Sequence, residues 1–206
     1  MREQTIEAFL TDLAARIPAP GGGATAALHA AQAAALLGMV ARYSDGPKYA
    51  ADASEISSVR GDADQLRETC LDLIAADAAA FEEVAAAYRL PRDTPELSGD
   101  RSAAVAAALT GAAESPAAVI AAAARLVKLA EVLLPIGNRN VVSDVAAAAE
   151  AIRAAAATAR FNIEINLRGI TDSAARARFA ESVDEADRLD ARAAQLSAAI
   201  RAELTG

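Results

Sequence analysis

The sequence predicts an all-α fold, an antiparallel bundle of about six to eight helices that associates as a homodimer. Two observations lead there. The 206-residue chain is 54% hydrophobic but only 3% aromatic and has no Trp, so its apolar content is mostly Ala with Leu, Val and Ile, good helix formers apart from the β-branched pair. Apolar residues also recur at spacings of three and four, and Pro and Gly interrupt them at helix-length intervals. A core built from Ala packs helices closely, yet each Ala buries little area at about 25 cal/mol per Å². Association with a second copy adds what one bundle lacks. The length suits one domain over residues 1–206.

Taken in order, Thr5 caps a first helix that ends near Ile17, because Pro18 and Pro20 forbid continuation. A second helix runs from about Gly22 to Tyr43, and SDGPKY makes a turn. The third helix carries the most regular stripe: Ile56, Val59, Ala63, Leu66, Cys70 and Leu73, then Asp77, Phe81 and Val84. Asp77 stands where an apolar residue belongs, although Ile74 and Ala78 carry the stripe past it if the helix drifts. LPRDTPELSGD closes that helix and opens another near Asp100, and Pro116 suits the first turn of the next, which ends at LLPIGNRN. Two long helices follow, over 141–168 and 173–204. Within the first of them FNIEINL alternates like a strand, but a lone strand leaves its backbone unpaired and the flanking Ala favours helix. As helix, it stacks Asn162 and Asn166 one turn apart.

Twenty basic residues are scattered among 28 acidic ones, for a net charge of −8, which argues against a nucleic-acid partner. The single Cys70 excludes an internal disulfide, and MREQTIEAFL has no apolar signal core, so the expected location is cytoplasmic. Arg125, Lys128 and Glu131 break the longest apolar run, and no membrane segment is read. No His or Cys cluster offers a metal site.

Four features carry chemistry. Gly21, Gly22 and Gly23 at a helix start leave backbone N–H groups unhindered for an anion or carbonyl, let a flat ligand or another backbone come close, or simply make a tight turn. No Lys-Ser/Thr pair follows, so this is not a P-loop. In GNRNVVSD, Asn138 and Asn140 offer amides, and Asp144 is either a base or an ordinary acid favoured by the helix dipole by about 0.3–1 kcal/mol. Asp77 on its apolar stripe requires a partner or a function. His29, one turn beyond the glycines, is a lone imidazole better read as a helix-face residue.

PAPGGGATAAL, DAAAFEEVAAAYRLP, GNRNVVSD and NIEINL, in that order, resemble the cyclodeaminase domain of the formiminotransferase-cyclodeaminase family and its similar bacterial methenyltetrahydrofolate cyclohydrolases. The resemblance covers nearly the whole chain. It implies an all-helical dimer that holds folate in a cleft near the subunit interface, with the glycine segment lining the cleft. It makes Asp144 the first catalytic carboxylate and Asp77 the second. Gly21, Gly22, Gly23, Asn138, Asn140 and Asn166 would bind or orient substrate, and Lys48, Arg42 or Arg139 would meet the anionic glutamate tail. Where the family commonly has serine after the glycines this chain has Ala24, so a hydroxyl contact shifts to Thr25; His29 replaces a small residue.

The implied activity is hydrolysis of 5,10-methenyltetrahydrofolate to 10-formyltetrahydrofolate, with a tetrahydrofolate derivative as substrate and no tightly bound cofactor. Hydrolysis is preferred to formimidoyltetrahydrofolate cyclodeamination because no formiminotransferase segment is attached. A noncatalytic folate-binding or scaffold protein is the competing class.

Overall fold

The computed structural model describes residues 3–205; Met1, Arg2 and Gly206 of the expected 1–206 unit lie outside the described residues. Seven α-helices and no strand occur among them: α1 Ile6–Ala14, α2 Gly22–Tyr43, α3 Ala53–Tyr88, α4 Pro95–Ala112, α5 Glu114–Ile136, α6 Val142–Leu167 and α7 Ser173–Thr205. Short 3-10 turns at Pro47–Tyr49 and Arg139–Val141 precede α3 and α6.

α2 is the central helix. Its Ala26, Ala27, Ala30, Ala33 and Ala34 are essentially without exposure, which lets α3, α5 and α6 approach on three sides. Larger side chains from the surrounding helices, among them Leu66, Leu126, Ile152 and Leu189, fill the spaces between them. By length and composition α2 also passes for a membrane span, and most of it is buried in this bundle.

Cross-helix contacts set the directions. Gly23 meets Asp77 and Gly38 meets Ala63, so α2 and α3 are antiparallel. Gly22 meets Asn162 at one end while the Asn138 amide donates to the Tyr43 carbonyl at the other, so α2 and α6 are antiparallel too. Arg153–Asp190 and Arg160–Asp187 pairs place α7 antiparallel on α6. The glycine segment and GNRNVVSD therefore lie at opposite ends of the bundle.

Several boundaries differ from the sequence reading. α1 stops at Ala14, three residues before Ile17, anchored on the core through Phe9. α4 starts at Pro95 rather than near Asp100, because the Thr94 hydroxyl accepts from the Leu97 N–H and Pro95 fits the first turn. FNIEINL is helical to Leu167, with Ile163 buried and Phe161 and Ile165 exposed.

Candidate functional site

α3 has 36 residues and outruns the core. Its apolar stripe is buried through Cys70 and Ile74, then Phe81 and Tyr88 are about half exposed. From Asp77 onward the stripe becomes one wall of a cleft of about 550 Å³. Leu109 and Ala112 of α4 form the second wall, and Asn162, Ile165 and Asn166 of α6 the third. The floor is the glycine segment, reached through a cis Ala19–Pro20 peptide.

Gly23 is buried under Asp77: a Cβ there would stand 1.9 Å from Asp77 Oδ1 and 2.4 Å from its Cγ. The carboxylate thus occupies the start of α2, where the first N–H groups have no intrahelical partner and the dipole is positive. Burial raises the Asp77 pKa, and a hydrogen bond from the Ala24 amide partly opposes that rise. The group is half-buried, held by one donor, and faces the cleft.

Beside it, a Cβ on Gly22 would meet the Asn162 amide nitrogen at 3.4 Å. That nitrogen donates to the Thr158 carbonyl at 2.8 Å, which orients the amide toward the start of α2. Asn166 follows one turn later. Close packing also closes the far wall, where a Cβ on Gly169 would stand 2.2 Å from Leu109 Cδ1.

The structure thus brings Gly21, Gly22, Gly23, Asp77 and Asn166 together. Thr25 points elsewhere, its hydroxyl donating to the Gly21 carbonyl at 3.0 Å, and His29 lies 3.3 Å from Gln32. The residues of GNRNVVSD do not join the cleft within one chain. Asp144 is in the first turn of α6 and Asn166 in its last, about 33 Å apart at 1.5 Å per residue. Asn138 caps the turn before α6, its side-chain oxygen accepting from the Asn140 N–H, and it binds the far end of α2 through the Ser44 hydroxyl and the Tyr43 carbonyl. Lys48 lies beyond that same end, its ammonium 5.4 Å from the Tyr49 ring centroid. Arg42 is held by Asp64 and Arg139 by Glu203, so neither reaches the cleft. The separation arises because α2 and α6 are long and antiparallel.

Asn162, Phe81, Tyr88 and Arg168 are lining residues that the sequence reading did not single out as a site. A helical stripe looks the same whether it ends in core or in cleft. No group of three or more His, Cys, Asp or Glu suited to a metal occurs among the described residues.

A family model described as formiminotransferase-cyclodeaminase matches residues 5–185. A methenyltetrahydrofolate cyclohydrolase of Methylorubrum extorquens is 37% identical over 172 residues, 83% of each chain. The formimidoyltransferase-cyclodeaminase of Sus scrofa is 32% identical over 193 residues, 86% of this chain and 33% of its own length, so the chain spans about a third of that relative. The crystal structure of a formiminotetrahydrofolate cyclodeaminase from Thermotoga maritima superimposes with a TM-score of 0.88 at 28% identity, covering 100% of this chain and 99% of the other.

Proposed function

Because the chain belongs to the formiminotransferase-cyclodeaminase family, we propose that it hydrolyses 5,10-methenyltetrahydrofolate to 10-formyltetrahydrofolate in the cleft over Gly21–Gly23, with Asp77 as its catalytic carboxylate. The observation that carries the site is the seat of Asp77: a half-buried carboxylate on a side-chain-free helix start, facing a cleft of ligand size.

The chemistry follows from that seat. The substrate's one-carbon bridge is a delocalised amidinium cation, and a carboxylate in a partly desolvated site favours it more than water does. Water adds to the bridging carbon, and Asp77 accepts its first proton. The resulting tetrahedral carbon loses its hydroxyl proton to solvent as the carbonyl forms and the bond to N5 breaks. Asp77 returns its proton to N5. One proton is released per turnover, and the carboxylate ends as it began. The pterin plane lies against Gly21, where a Cβ would meet nothing within 4 Å, while Asn162 and Asn166 offer amides to its polar edge.

A homodimer belongs to this reading. Gln32, Ala35, Leu36 and Met39 of α2, with Ala147 and Ala151 of α6, make a shallow face without a charged side chain. A two-fold axis lying in that face, perpendicular to the helices, exchanges the ends of the α2–α6 pair. The Asp144 end of one copy then lies beside the Gly21 end of the other.

Purified protein mixed with methenyltetrahydrofolate tests the activity through loss of the substrate's near-ultraviolet absorbance over a buffer blank. The second reading is cyclodeamination of the formimino derivative, favoured by the fit to the Thermotoga maritima structure over the full chain. Ammonia release identifies it. Folate binding without either reaction would indicate a noncatalytic relative.

A further inference from the structure

We propose that Arg168 is the residue that reads the substrate's anionic tail, making the cleft selective for folates that carry glutamate. This rests on the folate reading above.

Among the described residues only two charged side chains line the cleft, Asp77 at its floor and Arg168 at its rim. The other arginines that pack between helices are engaged: Arg42 and Arg67 with Asp64, Arg125 with Asp62, Arg153 with Asp190, Arg192 with Glu131. Arg168 is exposed and has no ion-pair partner among the described residues. It follows the last residue of α6, where the helix dipole favours a cation.

Apart from the Asn162 and Asn166 amides, the side chains that line the cleft besides the two charges are apolar, Phe81 and Val84 with Tyr88 on one side and Leu109 and Ile165 on the other. Arg168 lies six residues beyond Asn162, about 9 Å further along the helix axis. The cleft is thus negative at one end, apolar in the middle and positive at the other. A ligand that matches it has a cationic head, an aryl middle and an anionic tail in that order. The guanidinium fork suits a carboxylate bidentately, which a lysine ammonium does not reproduce.

The full chain is assayed with 5,10-methenyltetrahydrofolate and with the methenyl derivative of tetrahydropteroate, which lacks the glutamate. Wild type is expected to show a lower KM for the folate. Arg168→Gln is expected to raise KM for the folate about tenfold and to leave KM for the pteroate within about twofold. Arg168→Lys is expected to fall between wild type and Arg168→Gln, and the preference is expected to shrink with rising ionic strength. Thermal melts establish that the variants are folded. An unchanged KM ratio in Arg168→Gln, or a wild type that does not distinguish the two substrates, overturns the assignment while leaving the hydrolase reading intact. A wild type inert on both overturns both.

Discussion

Asp77 Oδ1 stands 1.9 Å from the position a Cβ on Gly23 would take, so the carboxylate fills volume that every other residue type at position 23 would claim. The Gly23 and Asp77 positions are 54 residues apart in sequence, and neither is intelligible alone. The glycine is there because of the acid, and the acid is buried because of the glycine.

Gly23→Ala tests that mutual dependence. In an unobstructed helix the substitution gains about 1 kcal/mol of propensity. Here the new methyl forces Asp77 out of its seat or α2 away from α3, and a net loss of about 1–3 kcal/mol is expected, as for other overpacked sites. Gly22→Ala, whose Cβ would make an ordinary 3.4 Å contact with Asn162, is expected to stay within about 0.5 kcal/mol of wild type. Urea unfolding of both variants measures the difference. Turnover by Gly23→Ala is expected to fall at least about tenfold with the displaced base.

The Asp77 carboxyl gives two pH signatures of opposite sense. Its pKa is raised by burial, so the folded state binds more protons than the unfolded chain between the ordinary carboxylate value and the raised one. Stability contributed by this group therefore falls as pH rises through that window, and Asp77→Asn is expected to melt no lower than wild type near neutrality. Activity runs the other way, because a base must be ionised. The acid limb of kcat/KM is expected above the ordinary carboxylate range, and the limb of kcat lower, since the bound cation favours the carboxylate. Asp77→Asn is expected to lose about 10²–10⁴ in kcat. A purely structural cap would show the reverse pattern, lost stability with retained turnover.

Burial pushes the Cys70 thiol up to about 11 and leaves it without exposure. The native protein is therefore expected to be inert to thiol reagents near neutral pH, with labelling only on opening of the α2–α3 contact. A rate of labelling that follows urea-induced unfolding confirms it; rapid labelling of native protein does not fit.

Much of the architecture was legible because it depends on local chemistry. The bounds of α2 follow from GGG and SDGP, and the helical state of FNIEINL follows from the absence of any strand partner. Asp77 stood out as a charge on an apolar stripe, which is a local anomaly. The start of α4 was legible in principle too, since Thr94-Pro95 is a cap followed by a first-turn proline. Phe81, Tyr88 and Arg168 were not legible as a site. Whether a stripe ends in core or cleft depends on α3 being longer than its neighbours, a fact about three helices at once. The distance between Asp144 and Asp77 is likewise a product of helix length and direction, and no motif reports it.

Asp144 supplies the sharpest remaining test. It is about 33 Å along α6 from the cleft residues of its own chain. Its motif residues Asn138 and Arg139 are tied to the bundle by Tyr43, Ser44 and Glu203, so that end does not swing over to the glycines. Participation then requires a second copy, docked so that opposite ends of the α2–α6 pair meet. In that geometry each site takes Asp77 from one subunit and Asp144 from the other. Asp77→Asn and Asp144→Asn are each expected to be nearly inactive alone. When the two variants are unfolded together and refolded in equal amounts, half of the dimers are mixed, and one of the two sites in each mixed dimer has both acids. About a quarter of wild-type activity is expected to return, the signature of a shared site under two-fold symmetry. If Asp144→Asn keeps full activity, Asp144 is a dipole-stabilising residue of α6 and the site is complete in one chain. If both variants are dead and the mixture stays dead, the two acids do not meet in a shared site and the end-to-end docking is wrong.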